Sequence, residues 1–260
     1  MRAIWSGSIS FGLVNIPVKL YSAVGDERLD FDMLHRDDLS PIRFARFCRV
    51  EEKEVPYEEI VKGFEYEKGR YVVITDEDFE RANVRVTHAI VILDFVDQNE
   101  IEHKYFEKPY YLEPDKGADR SYALMREALN RSGKIGIGKF VLRNREHLIG
   151  LRSEKGILVL EQLRFASQIR KTAGLNKADN IELDEREVEM ALDLINRLSR
   201  PFKIEEYKDT YTNELKKVIA ERISGKTPSA VGTPPLPTPV PDLMEMLRKS
   251  LEEQKGKSRT

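Results

Sequence analysis

The chain has 260 residues and a formal net charge of −2, from 43 Lys and Arg against 45 Asp and Glu. Its apolar content of 40% supports the core of one large domain or two small ones, and no apolar run approaches the ~20 residues that cross a bilayer. A single cysteine, Cys48, excludes a disulfide framework. The amino terminus lacks the layout of a signal peptide, so we expect a cytoplasmic protein.

The first two-thirds of the sequence has the patterning of β-strands. Apolar residues alternate along residues 8–20, but the alternation changes phase once beside Gly12. This change predicts two strand segments joined by a bulge or a corner, as in a barrel. Further strand-like runs follow at Tyr71–Thr75, Val86–Val96, Tyr110–Leu112, Ile135–Leu142, Leu148–Leu151 and Gly156–Phe165.

Helical patterns interrupt these strands and then replace them. Acidic residues after Thr75 predict a short helix to about Ala82, and residues 119–132 carry an apolar stripe that ends at Gly133, a typical carboxyl-terminal cap. Two later patterns predict helices that start at about Asp184 and Asp209. Strands first and helices last indicate an α+β chain with an antiparallel β-barrel core.

The last 35 residues differ in composition from the rest. The run TPSAVGTPPLPTPVP predicts an extended, solvated spacer. Beyond it, DLMEMLRKSLEE predicts a short amphipathic helix with Leu243, Met246, Leu247 and Leu251 on one stripe. We therefore divide the chain into a core at residues 1–182, a helical arm at 183–225, a linker at 226–240 and a tail helix at 241–260.

One short stretch concentrates positive charge. Residues 131–152, RSGKIGIGKFVLRNREHLIGLR, hold six Lys and Arg against Glu146. Gly133, Gly138 and Lys139 nearly match a phosphate-binding loop, but Phe140 replaces the required Ser or Thr. A helix also precedes the glycines and a strand follows them, the reverse of what such a loop needs. A nucleotide site is therefore disfavoured.

The alternative is a strand that meets a polyanion. In an extended chain Lys139, Arg143 and Arg145 share parity and point the same way, while Phe140 and Leu142 point toward a core. Such a strand can contact phosphates along a duplex, and glycines allow close approach. An ordinary solvated outer face is the competing interpretation.

A second basic run, RFARFCR, contains Arg43, Arg46 and Arg49 and no acid. Its two Phe residues suit stacking on single-stranded bases or simple packing, and the spacing of three indicates a loop or an irregular ribbon. Cys48 and the four His show no grouping typical of a metal site. No motif for covalent catalysis is present, so we predict no catalytic residue, no metal and no cofactor.

Longer stretches resemble one family. MRAIWSGSISFGLVNIPVKLYSA, EVPYEEIVKGFEYEKGRYVVITDEDFE, YYLEPDKGADRSYALMREAL, SGKIGIGKFVLRNREHLIGLR and EYKDTYTNEL are similar, in order, to the bacterial Ku proteins. The resemblance covers roughly residues 1–225. It implies a homodimeric ring of two β-barrel cores whose bridge segments encircle duplex DNA.

The same resemblance implies a function and partners. Members of the family bind double-strand break ends without sequence preference and recruit an ATP-dependent DNA ligase for non-homologous end joining; Ku itself is not an enzyme. The protein would then be cytoplasmic and associated with the nucleoid. A rival from another class is an oligomeric β-barrel scaffold that binds no nucleic acid.

The resemblance also assigns residues. It implies that Lys139, Arg143 and Arg145 face the duplex, together with Lys134 from the same stretch, and that Arg43, Arg46 and Arg49 lie in the bridge and contact phosphate. Many relatives carry a CxxC in the bridge, whereas Glu51 stands in the second place here, which argues against a metal role for Cys48. The tail charge is mild, with Lys226, Arg248, Lys249, Lys255, Lys257 and Arg259 against Asp242, Glu245, Glu252 and Glu253, or 6 − 4 = +2. Because the Pro-rich spacer leaves the stripe little of its own chain to pack against, we expect Leu243, Met246, Leu247 and Leu251 to bind the ligase. Docking of the stripe on the core or on the dimer mate is the alternative.

Overall fold

The computed structural model describes residues 1–25, 29–82, 88–143, 145–178 and 181–226. Two compact units divide the chain, Met1–Thr172 and Ala173–Thr260. The predicted domain limits at 182, 225 and 240 remain predictions. Most of the predicted spacer and all of the tail helix, with Leu243, Met246, Leu247 and Leu251, lie outside the described residues.

The first unit contains a closed barrel of seven strands. The described strands are β1 Trp5–Phe11, β2 Val14–Ser22, β3 Lys62–Glu67, β4 Arg70–Ile74, β5 Ala89–Asp97, β6 Phe106–Pro114, β7 Lys134–Leu142, β8 Arg145–Glu154 and β9 Ile157–Leu163. Around the barrel the order is β1-β2-β6-β9-β8-β7-β5, while β3 and β4 form a separate two-stranded sheet. The neighbouring pairs are antiparallel except β1 and β5, which close the barrel in parallel. The predicted α+β class with a barrel core is confirmed.

The phase change beside Gly12 is a hairpin turn. Phe11 pairs with Val14 across it, and β1 and β2 run antiparallel. Gly12 has φ 57°, the left-handed region that suits glycine in tight turns. The predicted bulge or corner was wrong. A two-residue turn moves the inward-facing residues from odd to even positions, as one extra residue in a strand also does, so the sequence pattern does not distinguish the two.

Helix α2, Asp119–Ser132, packs against the barrel core. The described helices are completed by α1 Asp76–Ala82, α3 Glu185–Leu198 and α4 Thr210–Ile223. Tyr122, Met125 and Leu129 of α2 are buried and belong to the same apolar cluster as the inward side chains of the strands. Gly133 ends α2 at φ 63° and donates to the carbonyl of Leu129, as the sequence predicted.

In sequence between β2 and β5 the chain contains a long segment whose residues are exposed or only partly buried. Residues 29–75, which the structure describes in full and which we call the exposed segment, contain no buried residue. The sheet of β3 and β4 belongs to it, and β3 was not predicted. Two tight turns are closed by isolated backbone pairs, Leu34 with Pro41 and Phe47 with Glu54. A segment this rich in exposed apolar side chains is not stabilised by its own packing.

The second unit is helical where it is described. Asp184 caps α3 by accepting from the backbone N–H of Arg186, and Asp209 caps α4 by accepting from that of Thr212. Both helices begin where the sequence predicted. Neither contains a buried residue, and Leu192, Ile195 and Leu198 of α3 are more than half exposed.

Candidate nucleic-acid interface

The basic stretch forms the hairpin of β7 and β8. Leu142 pairs with Arg145 at its tip, Phe140 with His147, Val141 with Glu146 and Lys139 with Leu148. Arg143 occupies the turn at φ 51°, and both Arg143 and Arg145 are exposed. The hairpin therefore presents its guanidinium groups at its tip, where water and a ligand can reach them.

The predicted common direction of three cations is wrong. Residues directly opposite in an antiparallel pair lie on one face of the sheet. Arg145 therefore lies on the inward face with Leu142 and Phe140, at the mouth of the barrel, whereas Lys139 lies on the outward face. The parity argument assumed one continuous strand, but the turn at Arg143 reverses the chain. The prediction that Phe140 points into the core is confirmed, since it is 2% exposed.

Lys139 is held by two neighbours on the outer wall. Its Nζ donates to Glu146 Oε2 at 2.9 Å and lies 5.9 Å from the centroid of the Phe165 ring. Among the described residues, Arg143 and Arg145 form no ion pair. The charge of Lys139 is therefore already paired with a carboxylate, whereas those of Arg143 and Arg145 are paired with none in the described part of the chain.

The glycines of the basic stretch serve packing. A Cβ on Gly138 would overlap the carbonyl oxygen of Val91 on β5, and a Cβ on Gly150 would lie 2.5 Å from the Cδ1 of Ile135. Both glycines let neighbouring strands approach closely. Helix α2 ends before Gly133 and β7 follows it. A phosphate loop needs a strand before the glycines and a helix after them, so these glycines belong to a barrel wall and not to a phosphate loop.

An aromatic stack supports the hairpin from inside the barrel. The ring of Trp5 meets that of Phe140 edge to face, with centroids 5.8 Å apart and planes at 88°. Phe140 in turn contacts His147, with centroids 5.8 Å apart. Edge-to-face pairs of this kind stabilise packing beyond their buried area, so the stack helps to fix the position of the hairpin tip.

Lys134 lies far from the hairpin tip. It opens β7 opposite Asp97 of β5, and Arg143 follows the other end of the strand. At ~3.3 Å per residue the two backbones are about 30 Å apart. Lys139, Arg143 and Arg145 all lie toward the tip of the hairpin, on different faces, whereas Lys134 lies at the other end of β7.

The other predicted cations lie in the exposed segment. Arg43, Arg46 and Arg49 are all exposed, in an irregular ribbon as predicted. The carbonyl of Arg46 accepts a backbone hydrogen bond from Val55 across the turn, and its guanidinium lies 5.2 Å from the centroid of Tyr57. Cation–π contact of this kind leaves the remaining donors of Arg46 available.

Comparison with known proteins agrees with this architecture. The family model described as the Ku70/Ku80 beta-barrel domain matches residues 10–190. The "Non-homologous end joining protein Ku" of Opitutus terrae is 42% identical over 256 residues, which cover 97% of this chain and 92% of the relative. The proteins of the same name from Pseudomonas aeruginosa and Bacillus subtilis are 40% and 36% identical, over 98% and 100% of this chain and 89% and 84% of theirs. The chain belongs to the Ku family.

For a Ku-family chain the structure adds one cation that the sequence did not single out. Lys108 on β6 is exposed, and its Nζ lies 5.6 Å from the centroid of Tyr110. Burial raises the pKa of Tyr110, and the charge of Arg143 opposes that rise. The charge of Arg143 thus acts on Tyr110, the residue whose ring Lys108 contacts. Register across the barrel, which single-strand patterns do not reveal, was the missing signal.

Cys48 opens the second tight turn of the exposed segment. Its backbone N–H donates to the carbonyl of Lys53, and its carbonyl accepts from Glu52. Across the described ranges, no group of three or more His, Cys, Asp or Glu is placed to hold a metal ion. In the same part of the chain, no helix is long and apolar enough to cross a membrane.

Proposed function

We propose that this protein binds the ends of double-stranded DNA without sequence preference, as a homodimeric ring that acts in non-homologous end joining. Membership of the Ku family is the observation that carries the proposal, since each relative described above is named as an end-joining protein. We assign the protein no catalytic residue and no cofactor.

The exposure of the predicted cations supports contact with phosphates. The proposed DNA-binding residues are Arg43, Arg46, Arg49, Lys134, Lys139, Arg143 and Arg145. The arginines among them are exposed. Contact with the backbone of a duplex positions a protein but carries no sequence information. Affinity that rests on such contacts falls steeply with salt because bound counterions are released.

Exposed apolar side chains support a dimer. The exposed segment presents large apolar residues that are 43–90% exposed. They are Phe31, Met33, Leu34, Leu39, Ile42, Phe44, Phe47, Val50, Tyr57, Ile60, Val61, Phe64, Tyr66, Tyr71, Val72 and Val73. Apolar surface on this scale marks an interface. A second copy of the chain is the partner that a ring requires, and its bridge would complete the opening through which the duplex passes.

The proposal includes a partner enzyme. We assign Leu243, Met246, Leu247 and Leu251 to the recruitment of an ATP-dependent DNA ligase. The Pro-rich run before them is typical of an extended spacer, and an isolated helix of this length is unstable in water. An apolar stripe on such a segment suits folding into a groove of a partner.

A topological experiment tests the ring. The protein is titrated with linear duplex, with the same DNA as covalently closed circles, and with the circles after cutting at one site. We expect binding to the linear and cut forms and not to the circles, because a closed ring can enter DNA only at an end. Equal affinity for circles and linear DNA in one buffer would eliminate the ring. Size-exclusion chromatography with and without blunt duplex then measures the dimer, and a monomer in both runs would contradict it.

A further inference from the structure

Glu146 is the one acidic residue in the basic stretch of residues 131–152. It lies on β8, next to the strand that carries Lys139, and its carboxylate accepts from Lys139 Nζ at 2.9 Å. The two side chains, Lys139 and Glu146, are 42% and 54% exposed. The ring of Phe165 lies on Lys139 as well, with its centroid 5.9 Å from Nζ. The ammonium group is therefore both neutralised and held against the barrel wall.

An exposed ion pair of this kind is weak. Solvent screens the attraction, and holding two flexible side chains in one geometry opposes it. A phosphate of a duplex can therefore replace Glu146 as the ion-pair partner of the Lys139 ammonium group. The carboxylate nevertheless stays close to the position that the phosphate must occupy, and two like charges at that separation repel each other.

We infer that Glu146 limits the affinity of this hairpin for DNA by competing with phosphate for Lys139. The inference rests on the proposed function and concerns the same surface. Arg143 and Arg145 lack such a competitor among the described residues, so the hairpin combines free cations at its tip with one restrained cation on its wall. A duplex that reaches the wall must break the pair of Lys139 and Glu146, and each protomer of a dimer carries this pair.

The test is the variant Glu146→Gln, which removes the charge and keeps the shape. Equilibrium binding to a linear duplex is measured from low to moderate salt. We expect roughly three- to tenfold tighter binding at moderate salt. The slope of log K against log salt should steepen by about 0.9 for each additional phosphate that the protein neutralises. Glu146→Ala should change binding in the same direction, which guards against an effect peculiar to the amide.

Two comparisons isolate the pair. Glu127→Gln is the matched control, because Glu127 also accepts from a cation, Arg131 Nε at 2.7 Å, at an exposed site on α2. It should leave binding unchanged. In a background of Lys139→Gln, the change at Glu146 should lose the part of its effect that comes from competition for the ammonium group, and only the direct repulsion between carboxylate and phosphate should remain. This double-mutant cycle separates a specific coupling from a general loss of negative charge.

The outcomes are distinguishable. If the wild-type protein binds no linear duplex at low salt, the proposed function fails and the inference fails with it. If the wild type binds, but Glu146→Gln binds equally or more weakly, the proposed function stands and the inference is overturned. Weaker binding would mean that Glu146 positions Lys139 for phosphate instead of competing with it. An equal gain from Glu127→Gln would also overturn it, because net charge alone would explain the effect.

Discussion

The hydroxyl of Tyr122 on helix α2 donates a hydrogen bond of 2.6 Å to the carbonyl oxygen of Leu112 on β6. The phenol oxygen of Tyr122 in turn accepts from the backbone N–H of Leu158 on β9 at 2.9 Å. Strands β6 and β9 are neighbours in the barrel, and Tyr122 is 6% exposed. One buried phenol therefore joins the helix to two strands and satisfies polar groups on both.

Tyr122→Phe should destabilise the protein. It leaves a buried carbonyl and a buried N–H without this partner, which costs about 1–3 kcal/mol. Urea denaturation measures the change in the free energy of unfolding. The control is Tyr21→Phe, because the hydroxyl of Tyr21 bonds Glu113 at an exposed site where water replaces the partner. A loss of equal size in both variants would contradict the special role of Tyr122.

Alkaline pH should weaken the fold through the same residue. Burial raises the pKa of Tyr122, and the hydrogen bond from Leu158 opposes this rise. Since the folded pKa is above that of the unfolded chain, ~10, the unfolded chain releases this proton first as pH rises. The stabilisation that the protonated Tyr122 phenol gives to the fold is complete below pH ~10 and is lost as pH rises through the folded pKa. The urea midpoint should fall less steeply with pH, over this range, in Tyr122→Phe than in the wild type.

Gly138→Ala should destabilise the barrel by at least ~1–3 kcal/mol, the range for an overpacked core. The new methyl group would overlap the carbonyl of Val91, and the backbone of β5 must move to admit it. Gly63→Ala is the matched control in β3, where a Cβ would lie 3.6 Å from Tyr71, an ordinary contact. Thermal unfolding of both variants tests this prediction. An unchanged midpoint for Gly138→Ala would mean that β5 and β7 accommodate the added methyl group without strain.

Charge reversal at the hairpin should weaken binding to every duplex sequence alike. In the variant with Lys139, Arg143 and Arg145 all changed to Glu, the salt slope should flatten by about 0.9 for each phosphate that is no longer neutralised. Filter binding with two unrelated duplexes measures both effects. The variant should remain folded, because these side chains are at least partly exposed. Normal binding at moderate salt would mean that the hairpin is an ordinary solvated surface.

Lys134→Glu and a triple change of Arg43, Arg46 and Arg49 to Glu probe the rest of the proposed surface. We expect both to weaken binding, with the larger loss from the triple variant because it removes more charge. Each is compared with wild type on the same blunt duplex. If the triple variant binds as wild type does, the exposed segment contacts a protein partner and not phosphate.

Truncation after Ala230 should separate the two proposed activities. The removed residues 231–260 have a charge of only 5 − 4 = +1, so duplex binding should be nearly unchanged. Stimulation of the cognate ligase should be lost, because the apolar stripe is removed. Ligation of a linear plasmid measures this, with Leu247→Ala and Leu251→Ala in the full chain as finer controls. Full stimulation by the truncated protein would rule out the assignment, and loss of dimerisation would indicate that the tail docks on the protein itself.

Local patterns in the sequence determined most elements of the fold. The apolar stripe and capping glycine predicted α2, and the caps at Asp184 and Asp209 predicted the starts of α3 and α4. These features depend on a few neighbouring residues, because helix geometry and caps are local properties. Strand β3 was missed for the opposite reason: its residues are all exposed, so no buried face imposes a pattern on it.

Only the tertiary structure decided how the cations are arranged. Parity along one strand grouped Lys139 with Arg145, but the turn at Arg143 reverses the chain and places them on opposite faces. The pairing of Lys139 with Glu146 follows from the register between β7 and β8. Register depends on contacts among residues far apart in sequence, and the composition of a single stretch contains no information about them.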